Sequence, residues 1–312
     1  MPTKLALSVE EQRPPLENPE WADEKRREIR LRRSQLLEHP EEVCFTYKIA
    51  TSRNELDESF RLVWSTYVKV GLQSPDTPPL RFTKYHLIPS TKVFVALARP
   101  ELAKANPDYK KLTEPGEVVG TLTLIADSDL GLPMEEVCRQ SVQRIRDEGG
   151  QPAEVIGLAV NPKFRSRNLM MYLYRLMFEY ARLSGVSDIL CSVTKRHIRF
   201  YRSMLLFKPM GRLKRYGPAN GQEVQCHRLN IGEARAVAEE VYHSQHFDAD
   251  LYTFFFTDNP TANRQKGAGG PWEPDTIQYF LEKQTKVKSE LSESELVFFR
   301  ATYEAHGAVF PY

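Results

Sequence analysis

The stretch from Ala153 to Ala181, AEVIGLAVNPKFRSRNLMMYLYRLMFEYA, limits the possible folds more than any other part of the chain. It opens with a nearly continuous apolar segment, Ala153 to Val160, which is typical of a central strand covered on both faces. An Asn-Pro pair and a basic turn follow, and then a helix is predicted from about Asn168 to Ser184. This order presents the amides of a helix N-terminus to a phosphate group. The stretch therefore predicts an α/β protein with an anion-binding loop.

The flanking sequence continues the α/β pattern. Gly71 and Gly150 end two predicted helices, and the alternation of strands and helices predicts a mixed central sheet with helices on both faces. The parallel pair in that sheet should have a right-handed crossover. The predicted strands are Cys44–Ala50, Thr91–Ala98, Glu117–Asp127, Ala153–Val160, Ser187–Thr194 and two strands within 208–231, and the predicted helices are Arg53–Gly71, Leu132–Gly150, Asn168–Ser184 and a short one near Tyr201.

Three regions follow from the same pattern. Residues 1–40 form a Pro-rich arm and a charged helix, predicted from Trp21 to Glu38. Residues 41–231 form the α/β domain. Residues 232–312 are mostly helical and too short of strands to build a core, so we expect them to pack back on the sheet.

Bulk properties exclude some functions. A formal charge of +2 argues against a dedicated nucleic-acid-binding protein, which concentrates Lys and Arg. The four cysteines lie far apart, which predicts no zinc site and no redox pair but buried free thiols in a reducing compartment. No apolar run reaches the roughly 18 residues of a membrane span, and no signal peptide is evident. We therefore expect a cytoplasmic protein without a bound metal.

The loop after Val160 resembles the acyl-donor loop of the GNAT superfamily, R-x-x-G-x-G/A after a strand ending in V-x-P. Arg165 occupies the first position, whereas Asn168 and Met170 replace the two glycines. Asn tolerates left-handed backbone angles better than other non-glycine residues. Loss of the glycines weakens recognition of the coenzyme A diphosphate and favours an acyl-carrier protein, whose pantetheine arm has one phosphate.

A second GNAT-like segment lies downstream. It matches the N-x-x-A-x-x-Φ-Y helix of the superfamily, whose four named positions are occupied by Thr194, His197, Phe200 and Tyr201. LLF replaces the Gly-Phe end of that pattern. The resemblance implies that Tyr201 protonates the departing thiolate. The residues alone are equally consistent with a core tyrosine.

The segments from Tyr47 to Asn230 together resemble the N-acyl amino acid synthases, a GNAT-like family related to the acyl-homoserine lactone synthases. PPLRFTKYHLIPSTKVFVAL, GEVVGTLTLIADSDLGLPMEE and RLKRYGPANG carry this resemblance. It implies a GNAT-like acyltransferase fold and an enzyme that moves a long acyl group to the amine of an amino acid. The donor is the thioester of acyl-carrier protein phosphopantetheine or of acyl-CoA, and no cofactor is bound.

Aminolysis of a thioester needs a base, a held carbonyl and a donor to the leaving thiol. Glu154 is the first candidate for the base, with an ordinary surface carboxylate as the alternative. His86 is the second, with a structural histidine as the alternative. Backbone N–H groups near Leu158 and Val160 are candidates for the oxyanion contact.

Substrate binding is assigned to other residues. Arg81 suits the acceptor carboxylate because its planar fork engages both oxygens, although an exposed ion pair is an alternative. Thr91 and Tyr216 are further substrate-binding candidates. Donor binding and docking of the carrier protein are assigned to a basic cluster, with ordinary solubilising charge as the alternative. Its members are Lys163, Arg165, Arg167 and Arg175, together with Asn168 in the loop.

Three other functions remain open. A CoA-dependent N-acetyltransferase of a small amine would turn over acetyl-CoA. A module that binds acyl-carrier protein or lipid without catalysis would bind without turnover. A lactone synthase would need S-adenosylmethionine, for which the sequence shows no site.

Overall fold

The computed structural model describes residues 44–105, 114–242, 250–256 and 269–312. The predicted helix from Trp21 to Glu38 lies outside these ranges. The strands are β1 (Phe45–Ile49), β2 (Lys92–Ala98), β3 (Val118–Ala126), β4 (Pro152–Val160), β5 (Asp188–Thr194), β6 (Lys208–Pro209), β7 (Lys214–Tyr216) and β8 (Gln222–Asn230). Helices α1 to α5 are Arg53–Lys69, Pro100–Ala105, Glu135–Asp147, Leu169–Leu183 and Ile198–Ser203, and α6 to α10 are Ile231–Tyr242, Leu251–Phe256, Pro274–Gln278, Val287–Glu290 and Glu293–Ala305.

One mixed sheet of eight strands forms the centre of the protein. Its order is β1-β2-β3-β4-β5-β8-β6, and β7 also pairs with β8. Only β4 and β5 are parallel within it, and α4 connects them. Helices cover both faces, which confirms the predicted GNAT-like α/β architecture.

Local sequence explains where the long helices begin and how deeply they are buried. α1 starts with a capping box, in which the Ser52 hydroxyl accepts from the Glu55 N–H and the Glu55 carboxylate accepts from the Ser52 N–H. α4 is apolar on most sides because it packs between the sheet and α7, where Tyr172 meets Phe254 edge to face.

The two faces of the sheet carry separate cores. α4, α6 and α7 lie on one face, where Phe94, Leu122 and Leu173 are buried together. α1, α3 and the helices after residue 273 lie on the other, where Phe60, Val95 and Phe280 are buried. The C-terminal residues that the structure describes therefore contribute to the cores on both faces.

The cysteine prediction was wrong for one pair. Cys138 in α3 and Cys226 in β8 form a disulfide across a sequence separation of 88 residues. Cys44 and Cys191 are buried free thiols, as predicted. Spacing along the chain did not reveal the pair because it is the sheet order, with β8 beside β5, that brings the two residues together.

Within the described ranges no helix is both long and apolar enough to cross a membrane.

Candidate active site

The two parallel strands separate partway along their length. β4 and β5 pair only from Pro152 with Asp188 to Val155 with Cys191. Beyond that point β4 contains a bulge, because Ile156 pairs with Thr123 and Ala159 pairs with Thr121, which leaves Gly157 and Leu158 opposite a single residue of β3. Gly157 has φ +63°, a conformation that favours glycine. The bulge turns β4 away from its regular course where the two strands part.

A cavity of about 160 Å³ lies at this separation. It extends from the bulge of β4 to α1, to the segment before β2 and to the turn after β7. Six of the candidate site residues line it, and they come from four separate parts of the chain: Arg81, His86, Glu154, Leu158, Tyr201 and Tyr216.

Glu154 is fully buried in β4 and lines this cavity. Its Oε2 accepts a hydrogen bond from the N–H of Met134 at 2.8 Å. Its Oε1 is buried and has no hydrogen-bond partner among the described residues. Burial raises the pKa of Glu154 from 4.5 to about 8, opposed in part by the Met134 N–H and reinforced by the charge of Glu135. A carboxyl group with such a pKa exchanges protons near neutral pH.

His86 forms another wall of the cavity. Its Nδ1 lies 3.1 Å from the N–H of Thr83, and its ring lies edge-on to Phe60 and stacks on Phe82. Burial, with a smaller effect from the charge of Arg81, lowers the pKa of His86 to about 4, opposed in part by the hydrogen bond to the Thr83 backbone. The imidazole is therefore neutral near neutral pH, and it is a much weaker base than Glu154.

Tyr201 contributes a phenol from α5. Tyr174 of α4 donates a hydrogen bond to the Tyr201 oxygen at 2.8 Å, which leaves the Tyr201 proton for another acceptor. Burial is the main cause that raises the pKa of Tyr201, so the phenol stays protonated over the ordinary pH range.

Arg81 reaches the cavity from the segment that follows α1. Its guanidinium donates to the Gln73 side chain and to the carbonyl of Pro218, the latter at 2.6 Å, and lies over the Tyr67 ring. No carboxylate of the described residues lies within ion-pair distance of Arg81. A half-buried cation at a cavity wall without an acidic partner is suited to an anionic ligand.

Other predicted residues lie elsewhere. Thr91 is buried but does not line the cavity, and Val160 lies beyond the bulge, paired with Gly120. Lys163 is exposed in a short 3-10 helix, Pro162–Arg167, and the side chains of Arg165 and Arg167 lie outside what the structure describes. Asn168 precedes α4 with a left-handed backbone of φ 55°. The guanidinium of Arg175 in α4 lies over the ring of Phe254 in α7.

Three residues that contribute to the site were not predicted from the sequence. Met134 acts through its backbone, which no side-chain pattern reveals. Tyr67 of α1 lines the cavity and forms a hydrogen bond with the backbone of Gly157. Cys191 on β5 pairs with Val155 and also lines the cavity, and its pKa is raised well above its usual value, first by burial and then by the charge of Glu154. The isolated glycine in an apolar strand was the available signal, because such a glycine often marks a bulge.

Comparisons with known proteins identify the family of the chain. Residues 58–230 match the family model of the N-acyl amino acid synthase FeeM, and no curated protein matches the chain. Among solved structures, FeeM from uncultured soil microbes is 23% identical, with a TM-score of 0.49, over 62% of this chain and 93% of that one. The CoA-dependent acyl-homoserine lactone synthase BjaI is 14% identical, with a TM-score of 0.44, over 72% of this chain and 98% of that one.

The family match covers more than half of the chain and includes Arg81, His86, Glu154 and Tyr201. The structural likenesses are weaker and add nothing on activity. The chain belongs to the FeeM family of N-acyl amino acid synthases, and it is an N-acyltransferase.

Proposed function

We propose that the chain transfers a long acyl group from a thioester to the amino group of an amino acid. The observation that carries this proposal is the fully buried Glu154 carboxyl, which has a raised pKa and an unpartnered oxygen on the cavity at the separation of β4 and β5. The proposed donor is the phosphopantetheine thioester of an acyl-carrier protein, with acyl-CoA as the alternative. The proposed location is the cytoplasm.

In the proposed reaction the acceptor nitrogen attacks the thioester carbonyl carbon. The C–N bond forms, the C–S bond breaks, and the amine proton passes to ionised Glu154 directly or through one water. Tyr201 donates a hydrogen bond to the departing sulfur, which takes the proton back from Glu154 through water and leaves as a thiol, so that Glu154 is ionised again. Backbone N–H groups in the bulge at Leu158 are the proposed partners of the oxyanion.

The amino acid is proposed to bind through its carboxylate to Arg81, whose guanidinium has no acidic partner in the described part of the chain. Tyr216, also on the cavity, is proposed to contact the acceptor. His86 is neutral and is proposed to orient the acceptor by hydrogen bonding rather than to remove its proton. Thr91 does not reach the cavity, so a contact from Thr91 to the substrate would need a rearrangement of its segment.

An acidic carrier protein as donor is supported by the charges next to the cavity. Residues 189–222 contain no Asp or Glu, and their eight Lys and Arg residues are all exposed. Thr194, Tyr201 and Tyr216 of the same segment line the cavity. The donor loop with Lys163, Arg165, Arg167 and Asn168 is proposed to hold the pantetheine phosphate.

The test is turnover by the purified protein. Acyl-carrier protein and acyl-CoA carrying the same saturated chain are supplied with a mixture of amino acids, and products are identified by mass spectrometry. We expect one N-acyl amino acid, formed by the native chain and roughly 10²- to 10⁴-fold more slowly by Glu154→Gln at neutral pH. Turnover of acetyl-CoA with a small amine would favour an acetyltransferase. Binding of the donors without any product would contradict the proposal and favour a non-catalytic module.

A further inference from the structure

A second cavity lies on the other side of Tyr201. It is apolar, measures about 40 Å³, and lies between α4, β5, β8 and the helices α6 and α7. Ala234 and Ala238 leave space on the side of α6, and Phe255 and Phe256 of α7 contribute aromatic walls. α6 and α7 follow residue 230, where the family match ends. This cavity is therefore built in part by residues outside the region that the family model matches.

A hydrogen-bonded pair of phenols lies between the two cavities. Tyr201 lines the first, Tyr174 lines the second, and their hydroxyl groups are joined by the 2.8 Å hydrogen bond. A rotation of either side chain would join the thioester site to the apolar space. An alkyl chain that extends from a thioester in the first cavity would then reach walls without hydrogen-bonding demands, where burial of each methylene is favourable.

Leu206, which lines this second cavity, has an unusual backbone conformation. Its φ is +60°, and it is the one described residue other than Gly and Asn with a positive φ. Branched side chains are strained in this conformation, which glycine adopts freely. The turn is closed by the Phe207 N–H, which donates to the Tyr201 carbonyl at 3.0 Å. The LLF sequence thus places a strained leucine in a turn that glycine would form without strain, and its side chain lines the cavity.

We propose that the second cavity receives the far end of the acyl chain and that Leu206 limits the length of the chain. This inference rests on the proposed acyl transfer and deepens it by naming where the alkyl group ends. At this strained position the leucine side chain fills part of a small space. In a cavity of about 40 Å³, removal of one isobutyl group changes the available length substantially.

The experiment compares Leu206→Ala and Leu206→Gly with the native chain, using donors with saturated chains of increasing length. Both variants enlarge the cavity, so kcat/KM for longer donors should rise relative to shorter ones by about fourfold for each methylene accommodated. Ala238→Leu fills the cavity and should shift the preference to shorter donors. Leu213→Ala removes the same group from a residue that lines neither cavity and should leave the length profile unchanged.

Two further readouts separate the possible failures. Leu206→Gly should melt at a higher temperature than Leu206→Ala, because only glycine relieves the backbone strain. Fatty acids of increasing length should stabilise the Leu206 variants against heat at greater lengths than the native chain. If both the donor profile and this binding profile match those of Leu213→Ala, the inference is overturned. If the binding profile shifts but no variant acylates any amine, the proposed reaction fails and the cavity assignment stands.

Discussion

The N–H of Met134 donates to Oε2 of Glu154, while Oε1 of the same carboxyl has no hydrogen-bond partner within the described residues. One oxygen is thus held by the backbone just before α3, and the other is exposed to the cavity. The hydrogen bond fixes the orientation of the group, and burial sets its proton affinity. A carboxyl group in this arrangement is suited to take up a proton from a ligand in the cavity.

Glu154→Gln should lower kcat roughly 10²- to 10⁴-fold at neutral pH, because the amide keeps the size but cannot accept the proton. In the native chain kcat/KM should rise with pH up to about 8, where Glu154 becomes ionised. The variant should lack this rise and recover in part at higher pH, as free amine becomes available. Steady-state kinetics across pH test this, with Glu148→Gln on the exposed end of α3 as control. A variant with native kcat at every pH would remove Glu154 from the mechanism.

The same substitution should change how stability depends on pH. The folded pKa of Glu154 is raised above the unfolded value of 4.5, so its contribution is fully present below pH 4.5 and is lost as pH rises through about 8. Relative to the native chain, Glu154→Gln should gain about 1.4 kcal/mol of unfolding free energy per pH unit within that window. Urea unfolding at several pH values measures the difference. A constant difference between the two proteins would contradict the raised pKa.

Tyr201→Phe should lower kcat with little change in KM for the acceptor, since the lost hydrogen bond acts on the departing sulfur. Donors with more acidic thiol leaving groups should be affected less, because their thiolates need less stabilisation. Tyr180→Phe, on α4 but lining neither cavity, is the matched control. An equal loss with every leaving group would assign Tyr201 to packing.

Reversing the charge of Arg196 and Arg202 should raise KM for an acyl-carrier protein much more than for acyl-CoA. Both side chains are exposed in the segment that contains no acid, so their effect should diminish as salt screens the attraction. Lys288→Glu, an exposed change in the C-terminal helices, is the control. Arg165→Ala should raise KM for both donors. Equal effects of the reversals on both donors would argue against docking of a carrier protein at this segment.

Loss of the Cys138–Cys226 disulfide should destabilise the protein. Closure of a long loop restricts the unfolded chain, and such crosslinks contribute typically 2–4 kcal/mol. Cys138→Ser should therefore melt at a lower temperature than the native chain under oxidising conditions and near it under reducing ones. Thiol titration after unfolding without reductant should find two of the four cysteines. Detection of all four would show that the disulfide is absent.

Local pattern predicted most elements because their signals lie within single segments. The apolar run from Ala153 to Val160 predicted β4. Its apolar character also indicated that a carboxyl at Glu154 would be poorly solvated. Contacts between distant segments were not predictable in this way. The Met134 N–H, the Arg81 bond to the Pro218 carbonyl and the disulfide all depend on how the sheet orders its strands.

The ring of His86 contacts Phe60 and Phe82, and those two rings contact Trp272 and Phe280 from the C-terminal segment. The wall behind the cavity is thus shared between the region matched by the family and a segment more than forty residues beyond it. A chain shortened to the matched region would expose this aromatic cluster to water and leave His86 without its backing. Domain boundaries drawn from family similarity would, in this protein, divide the enzyme through its own binding site.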